Sequence, residues 1–354
     1  MTVDLRPTVI VGGGQSGLSA ARAARNTGLH PLILEAGPRP AGSWPDYYDS
    51  LTLFSPARYS TMPDLPFPGD PDRYPARDEV ANYLEQYAAG LGVEIRTEVR
   101  VTAVEPAERG GFVVRTAHGD GIEAAAVVAA SGSFGNPYQP DIPGQDQFGG
   151  RLLHVADYRN PAPHAGNRIV VVGAGNSAIQ VAYELGQVAR VSLATRYPVK
   201  FVPQVIAGHD LHRWLKITGF DALPPAWLAR LVNRTPVLDT GRYRAAVESG
   251  PLDRRPTFTS FTNDGVIWAD GTAEPVDVVI MATGYRPNLG YLRALGALDS
   301  SGAPVHRGGV SVTHPGLVYV GLEFQRSFAS NTLRGACRDA EYVTGTLGAH
   351  VRGD

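Results

Sequence analysis

Cysteine is nearly missing from this chain: 354 residues carry one, Cys337. A lone thiol cannot close an internal disulfide, form a CxxC redox pair or build a thiolate zinc site. Lysine is scarce too. Lys200 and Lys216 are the only two, and the other 30 of the 32 basic residues are arginines. Set against 34 acidic residues, this leaves a formal net charge of -2, which implies no general attraction to nucleic acid or to anionic membranes. No run approaches about 18 uninterrupted apolar residues, so no membrane span is expected. The N-terminus shows no charged segment followed by an apolar one, so no secretory signal is visible and a cytoplasmic protein is the expectation.

Glycine, by contrast, is in excess, with 41 residues. It follows no three-residue period, which excludes collagen, and 43% hydrophobic residues suffice for a packed interior. The glycines cluster. Thr8 to Val11 reads as a buried strand, followed by Gly12-Gly13-Gly14-Gln15-Ser16-Gly17, an alanine-rich helix capped near Gly28, and a second strand, Pro31 to Glu35. The pattern recurs: strand Arg168 to Val172, turn Gly173-Ala174-Gly175-Asn176-Ser177-Ala178, a helix to about Val188, and strand Val191 to Thr195.

Between the two units lie a helix starting near Asp78, strand-like pieces at Val93 to Val104 and Phe112 to Thr116, and the strand Ala125 to Ala130. Beyond them the sequence suggests a helical segment from Asp210 to Val247. Turns follow at Asn263-Asp264-Gly265 and Asp270-Gly271, then a strand from Val276 to Met281, and a last helix from about Ser330 to Leu347. Ala282-Thr283-Gly284 echoes Ala130-Ser131-Gly132.

Gly12, Gly14 and Gly17 fit GxGxxG between a strand and a helix. The first glycine allows the tight turn, the second admits a pyrophosphate to the backbone, and the third lets helix and strand pack closely. The helix N-terminus adds free N–H groups and partial positive charge. Glu35, 18 residues after Gly17, stands where a carboxylate binds ribose hydroxyls. The second turn is GxGxxA, formed by Gly173, Gly175 and Ala178, and its second strand ends in Thr195-Arg196 instead of an acid. Arginine can pair with the 2′-phosphate of NADP that a carboxylate would repel, so NADPH is predicted there, with NADH also possible because Thr195 is neutral. Two nucleotide sites of different selectivity imply electron transfer between FAD, at the N-terminal site, and a nicotinamide donor at the internal one.

With these motifs in place, the chain resembles the flavin-containing monooxygenases, and among them the short bacterial members. Their pattern FxGxxxHxxxY plus a basic residue stands intact as Phe148, Gly150, His154, Tyr158 and Arg159. Baeyer–Villiger relatives carry Trp where Tyr158 sits, so the match favours the heteroatom-oxidising branch. Gly42-Ser43-Trp44, Leu53-Phe54-Ser55-Pro56, Tyr74 to Val80, Gly175-Asn176-Ser177 and Ala282 to Pro287 extend the similarity over nearly the whole chain. The resemblance implies a monooxygenase in which NADPH reduces FAD, a C4a-hydroperoxyflavin forms with oxygen, and one oxygen passes to a thioether sulfur or amine nitrogen of a small molecule. The alternatives are an NAD(P)H-dependent flavin reductase or oxidase that inserts no oxygen, and a non-enzymatic flavin-binding redox sensor. Larger members place asparagine where this chain has Phe54, so greater leakage of hydrogen peroxide is expected.

The fold expected is α/β with two Rossmann-like dinucleotide-binding domains, the NADP domain inserted into the FAD domain. Residues 1–160 and 285–354 form the FAD domain, and residues 161–284 the NAD(P)H domain, with a helical or lid segment at about 205–255. The FAD site comprises Gly12, Gly14, Gly17, Glu35, Ser43, Trp44, Val101, Ser131, Asn331 and Thr332. The NADP site comprises Gly173, Gly175, Asn176, Ser177, Ala178, Thr195, Arg196, Thr283 and Gly284. Phe54 and His154 are the flavin-adjacent candidates, no metal ligand is expected, and no partner beyond a small-molecule substrate and oxygen is implied, although a homodimer is compatible with the sequence. His209, Asp210 and His212 read as a solvated helix start, and Cys337 as a buried, inert thiol in the last helix.

Overall fold

The protein is described by a computed structural model covering residues 6–227 and 236–352. β1 (Thr8–Val11), α1 (Gln15–Asn26) and β2 (Pro31–Leu34) make the first unit, with β1 and β2 paired in parallel so that Ile10 faces Ile33. All four residues of β1 are buried, as a β-branched run covered on both faces should be. Just past α1, Gly28 takes φ +78, the left-handed conformation that suits a glycine after a helix end.

Helix α2 (Arg77–Gly90) starts where Glu79 reaches back to accept the Ala76 N–H at 2.8 Å. The stretch from 93 to 104, read as strand-like, is divided between two sheets. β3 (Glu94–Arg96) adds to the edge of β2, and the chain reverses through Glu98 at φ +59. β4 (Val101–Pro106) then folds with β5 (Phe112–Thr116) and β6 (Gly121–Ala124) into an antiparallel sheet. β7 (Ala126–Ala129) returns to the free side of β1.

A second parallel sheet follows. It contains β8 (Arg151–His154), β9 (Arg168–Val172), then α3 (Asn176–Leu185) leading to β10 (Arg190–Thr195). Next come β11 (Phe201–Pro203), the hairpin of β12 (Val205–Ile206) and β13 (His209–Asp210), and α4 (Leu211–Ile217). The segment expected to be helical from 210 to 247 also contains a strand, β14 (Val237–Asp239), drawn into parallel pairing with β11 before α5 (Arg242–Glu248). Residues 228–235 of that segment lie outside the described ones. β15 (Asp253–Pro256) closes one edge of the second sheet. The small meander of β16 (Ser260–Phe261), β17 (Gly265–Ile267) and β18 (Ala273–Pro275) uses the two turns read from the sequence. β19 (Val278–Met281) completes the sheet order β15-β10-β9-β19-β8.

The chain finally rejoins the first sheet through β20 (His306–Arg307), β21 (Val310–Ser311) and β22 (Leu317–Tyr319), giving the order β20-β21-β22-β7-β1-β2-β3. The first sheet thus draws strands from both ends of the chain and the second from its middle. This is the expected pair of Rossmann-like units, one inserted into the other. α6 (Leu333–Arg352) packs on α1. It starts three residues later than read because Thr332 Oγ1 accepts the Gly335 N–H at 3.2 Å, and it continues past Leu347. Among the described residues no helix is long and apolar enough to cross a membrane.

The FxGxxxHxxxY segment is the edge strand β8 and its flanks, and its members act as fasteners. Phe148 packs on Phe261 with ring centres 5.0 Å apart, while a Cβ on Gly150 would come within 2.8 Å of the Asp277 carbonyl. Tyr158 is almost fully buried and donates its hydroxyl to Glu184 of α3 at 3.2 Å. Ser50 donates to the same Glu184 oxygen at 2.9 Å, so this carboxylate ties segment 48–51 to the second unit. Replacing Tyr158 by phenylalanine leaves the packing and removes one donor. Urea unfolding of Y158F is expected to show a loss of about 1 kcal/mol with an unchanged m-value.

Candidate functional site

The first glycine turn is shaped by backbone contacts. Gly12 has φ +107, and a Cβ there would lie 2.6 Å from the Ala130 carbonyl at the end of β7. A Cβ on Gly17 would collide with the Gly12 carbonyl, so only glycine lets α1 seat on the turn. Gly14 caps α1 without a side-chain hydrogen bond, and the first turn of the helix contains no acid. Its N–H groups and positive dipole end are therefore available to an anion.

The turn opens into a cleft of about 510 Å³. Gly12, Gly14, Glu35, Ser43, Val101, Ser131 and Asn331 from the expected FAD set line it. Gly17 lies beneath the cleft as a packing residue. Trp44 points its indole N–H at Gln15 Oε1 (2.9 Å), and Thr332 spends its hydroxyl on Ala329 O (2.7 Å) and the helix cap. Both brace the wall from behind. Glu35 is held by the Gly13 and Gly37 N–H groups, each at 2.6 Å, one to each carboxylate oxygen. Its second lone pairs remain for hydroxyl donors. The glycine backbone, the uncapped helix end and the fixed acid suit the pyrophosphate and ribose of a dinucleotide such as FAD.

An aromatic wall that sequence reasoning had not assigned to the site closes one end. Tyr47 and Phe134 lie 4.5 Å apart, and Phe134 stacks on Tyr285 at 5.4 Å. Burial pushes both tyrosine hydroxyls above their ordinary range, so they remain neutral donors. The available signal was an aromatic following each small-residue turn, at Trp44 to Tyr47, Gly132 to Phe134 and Gly284-Tyr285. His154 stands behind this wall, edge-on to Tyr285 at 5.0 Å, and does not line the cleft. Its Nδ1 accepts the Ala156 N–H at 3.1 Å, so Nε2 carries the proton and donates to Gly284 O at 3.1 Å. Burial lowers its pKa, which keeps the ring neutral.

The second turn repeats the first. Gly173 has φ +144, and a Cβ there would strike the Ala282 carbonyl at the end of β19. Ala178 fills the place of the third glycine. Gly175 caps α3 without a side-chain bond, and the space beside it is open. Asn176 is committed elsewhere: its amide bridges Pro236 O (3.3 Å) and Leu238 N (3.2 Å), fastening α3 to the β14 segment. Ser177 follows it in the first turn of α3, and Thr283 donates to Tyr138 O. Thr195 is buried and accepts a hydrogen bond from Arg254 Nε at 2.8 Å, while Arg196 is exposed. Arg254 was not among the expected residues. It arrives beside Thr195 only because β15 pairs with β10.

Phe54 lies outside the large cleft, half exposed, with its ring on His212 at 6.2 Å. Of the segment read as a solvated helix start, His209 is exposed and Asp210 half-buried, but His212 is buried. His212 is 2% exposed and its Nδ1 bonds Asp210 Oδ1 at 2.8 Å. Tyr74 (2.5 Å) and Gln204 (2.7 Å) both donate to the other Asp210 oxygen, and Gln204 also donates to Phe54 O at 2.8 Å. Burial alone would raise the Asp210 pKa, yet the bonds from His212, Tyr74 and Gln204 outweigh it and hold the carboxylate below its ordinary range. Among the described residues no group of His, Cys, Asp and Glu is arranged to hold a metal ion.

Two glycine turns, one beside an acid and one beside arginines, define a flavoprotein with two dinucleotide-binding units. Comparison with known proteins takes this further. Residues 9–207 match the family described as pyridine nucleotide-disulphide oxidoreductase. An uncharacterized CzcO-like oxidoreductase of Geobacillus kaustophilus is 30% identical over 97% of this chain and 98% of its own. An indole-3-pyruvate monooxygenase of rice, YUCCA1, is 33% identical over 79% of this chain and 77% of its own. The structure of a flavin-containing monooxygenase from Stenotrophomonas maltophilia superposes with a TM-score of 0.85 at 32% identity, covering 97% of this chain and 98% of that one. The chain belongs to the pyridine nucleotide-disulphide oxidoreductase family, as one of its flavin monooxygenases. It is an NAD(P)H-dependent oxidoreductase whose cofactors are FAD and NADPH.

Glu35 offers a direct check on the first site. In E35Q the amide has one acceptor oxygen for two backbone donors, so one N–H is left facing an NH2 group, at a cost of about 1–3 kcal/mol. The flavin-to-protein ratio after gel filtration is expected to fall well below that of the wild type, and full retention would show that the carboxylate is not needed.

Proposed function

We propose that this monooxygenase transfers one atom of dioxygen to a soft nucleophile, a thioether sulfur or an amine nitrogen, of a small molecule. The observation carrying this reading is the pairing of two dinucleotide turns with a single thiol. With only Cys337 there is no dithiol to relay electrons, so electrons brought by the nicotinamide must leave through oxygen or an external acceptor. The chemistry supplied by FAD, when bound, is acceptance of hydride from NADPH and activation of dioxygen at flavin C4a.

The residues of the chain bind, orient and keep water out. Gly12, Gly14 and the open end of α1 receive the FAD pyrophosphate, Glu35 the ribose, and Ser43, Val101, Ser131 and Asn331 the rest of the molecule. Tyr47, Phe134 and Tyr285 form a wall whose neutral rings exclude water from the reacting end. His154, neutral and bonded at both nitrogens, is a positioning residue that holds Gly284 and Tyr285 in place. At the second site Gly173, Gly175 and the start of α3 receive the NADPH pyrophosphate, and Arg196 and Arg254 flank Thr195 to meet the 2′-phosphate. Phe54 can pack against a ligand but cannot hydrogen-bond one.

Turnover with isotopically labelled dioxygen and methyl p-tolyl sulfide tests the reaction. The expected product is a sulfoxide carrying one labelled oxygen, preceded by a spectral transient distinct from oxidised and reduced flavin. NADPH oxidation that yields hydrogen peroxide alone, with neither thioether nor amine labelled, would sink the proposal in favour of an oxidase. For the second site, the charge-assisted bonds lost in R196Q/R254Q correspond to about a 10- to 100-fold rise in KM for NADPH. KM for NADH should change little, and an equal loss for both nucleotides would place the 2′-phosphate elsewhere.

A further inference from the structure

A second cavity of about 250 Å³ lies between the Arg58–Pro63 segment, the α4 region and the first turns of α6. That is room for roughly eight water molecules at liquid density. Its rim is cationic, with Arg58, Lys216, Arg334 and Arg338 facing one carboxylate, Asp221. Arg334 satisfies Asp221 by itself, forking onto both oxygens at 2.8 Å. Arg58 reaches the exposed Asp72 at 2.7 Å, a surface pair that water screens. Lys216 lies 6.0 Å from the centre of the Tyr59 ring, and among the described residues neither it nor Arg338 pairs with a carboxylate. The chain places one of its two lysines here, beside an arginine, both of them exposed and, among the described residues, neither in a direct ion pair.

The floor is of the opposite character. Met62 and Ala329 are buried, Cys337 is half-buried instead of fully enclosed, and the Tyr59 ring forms a side. A fully hydrated inorganic dianion would satisfy the rim but leave this floor wet, and a neutral molecule would cover the floor but draw nothing from the exposed cations. We propose that the pocket binds a small organic monocarboxylate, its carboxylate between Lys216 and Arg338 and its apolar body on Met62, Ala329 and Tyr59. This site is separate from the dinucleotide clefts. Ala329 and Arg334 line the pocket while Asn331, between them, lines the large cleft, so the two cavities stand back to back across one turn of chain.

Cys337 reports on the pocket because it is the only thiol and forms part of its wall. The flavin-loaded protein is treated with N-ethylmaleimide and labelling is followed by intact mass. Saturating phenylacetate is expected to slow labelling by about fivefold or more. Phenylacetamide, the same body without charge, should give no protection, and inorganic phosphate less than phenylacetate. The K216Q/R338Q variant, with normal flavin content, should be labelled equally fast with and without phenylacetate. If Cys337 proves unreactive, phenylacetate must raise the Tm of the wild type and not of the variant. Absence of both effects overturns the proposal, as does equal or better protection by phosphate, or protection that survives in the variant.

Discussion

Both nucleotide sites depend on a close backbone approach, in which the first glycine of a turn sits against the carbonyl just past the end of the neighbouring strand. Gly12 meets Ala130 at the end of β7, and Gly173 meets Ala282 at the end of β19. Neither position has room for a Cβ, and both adopt a positive φ. With the turn this close to the sheet, the following helix starts directly above the strand ends, its free N–H groups over the crevice where ligands of open α/β sheets bind. The echo between Ala130-Ser131-Gly132 and Ala282-Thr283-Gly284 is the same contact seen from the strand side.

From this shared frame the two units diverge by electrostatics. After β2 stands Glu35, its carboxylate oriented by two backbone amides and compatible with ribose hydroxyls but hostile to an added phosphate. After β10 stands Thr195, held by Arg254 and followed by Arg196. Under the proposed assignment one geometry serves two nucleotides, because the sign of the charge at the end of the second strand differs. With one cysteine the chain has no dithiol of the kind used by family members that reduce disulfides through a cysteine pair.

The segment most diagnostic of the flavin monooxygenases contributes no side chain to the large cleft. Phe148, Gly150 and Tyr158 fasten β8 to the second sheet and to α3, and His154 carries that anchoring to the Gly284-Tyr285 corner. Its contacts hold the edge strand to its own sheet, to α3 and to the corner after β19. The link between the units comes instead from Tyr48 and Ser50, which meet Gln180 and Glu184 of α3.

The two βαβ units and the single thiol were legible in the sequence, because each βαβ unit is written within a few dozen consecutive residues by strand period and glycine spacing. Elements set by distant pairing were not. Nothing local splits Val93–Val104 between two sheets, turns Val237–Asp239 into a strand or buries His212 on Asp210. Arg254 reaches Thr195, and Lys216 joins Arg338 at one pocket, only when residues far apart in the chain are brought side by side. The sequence by itself determined the class of chemistry, since backbone turns and their charges are local properties. Tertiary structure alone decided which cations, rings and anchoring bonds surround each site, since these arise from sheet order and helix packing across hundreds of residues.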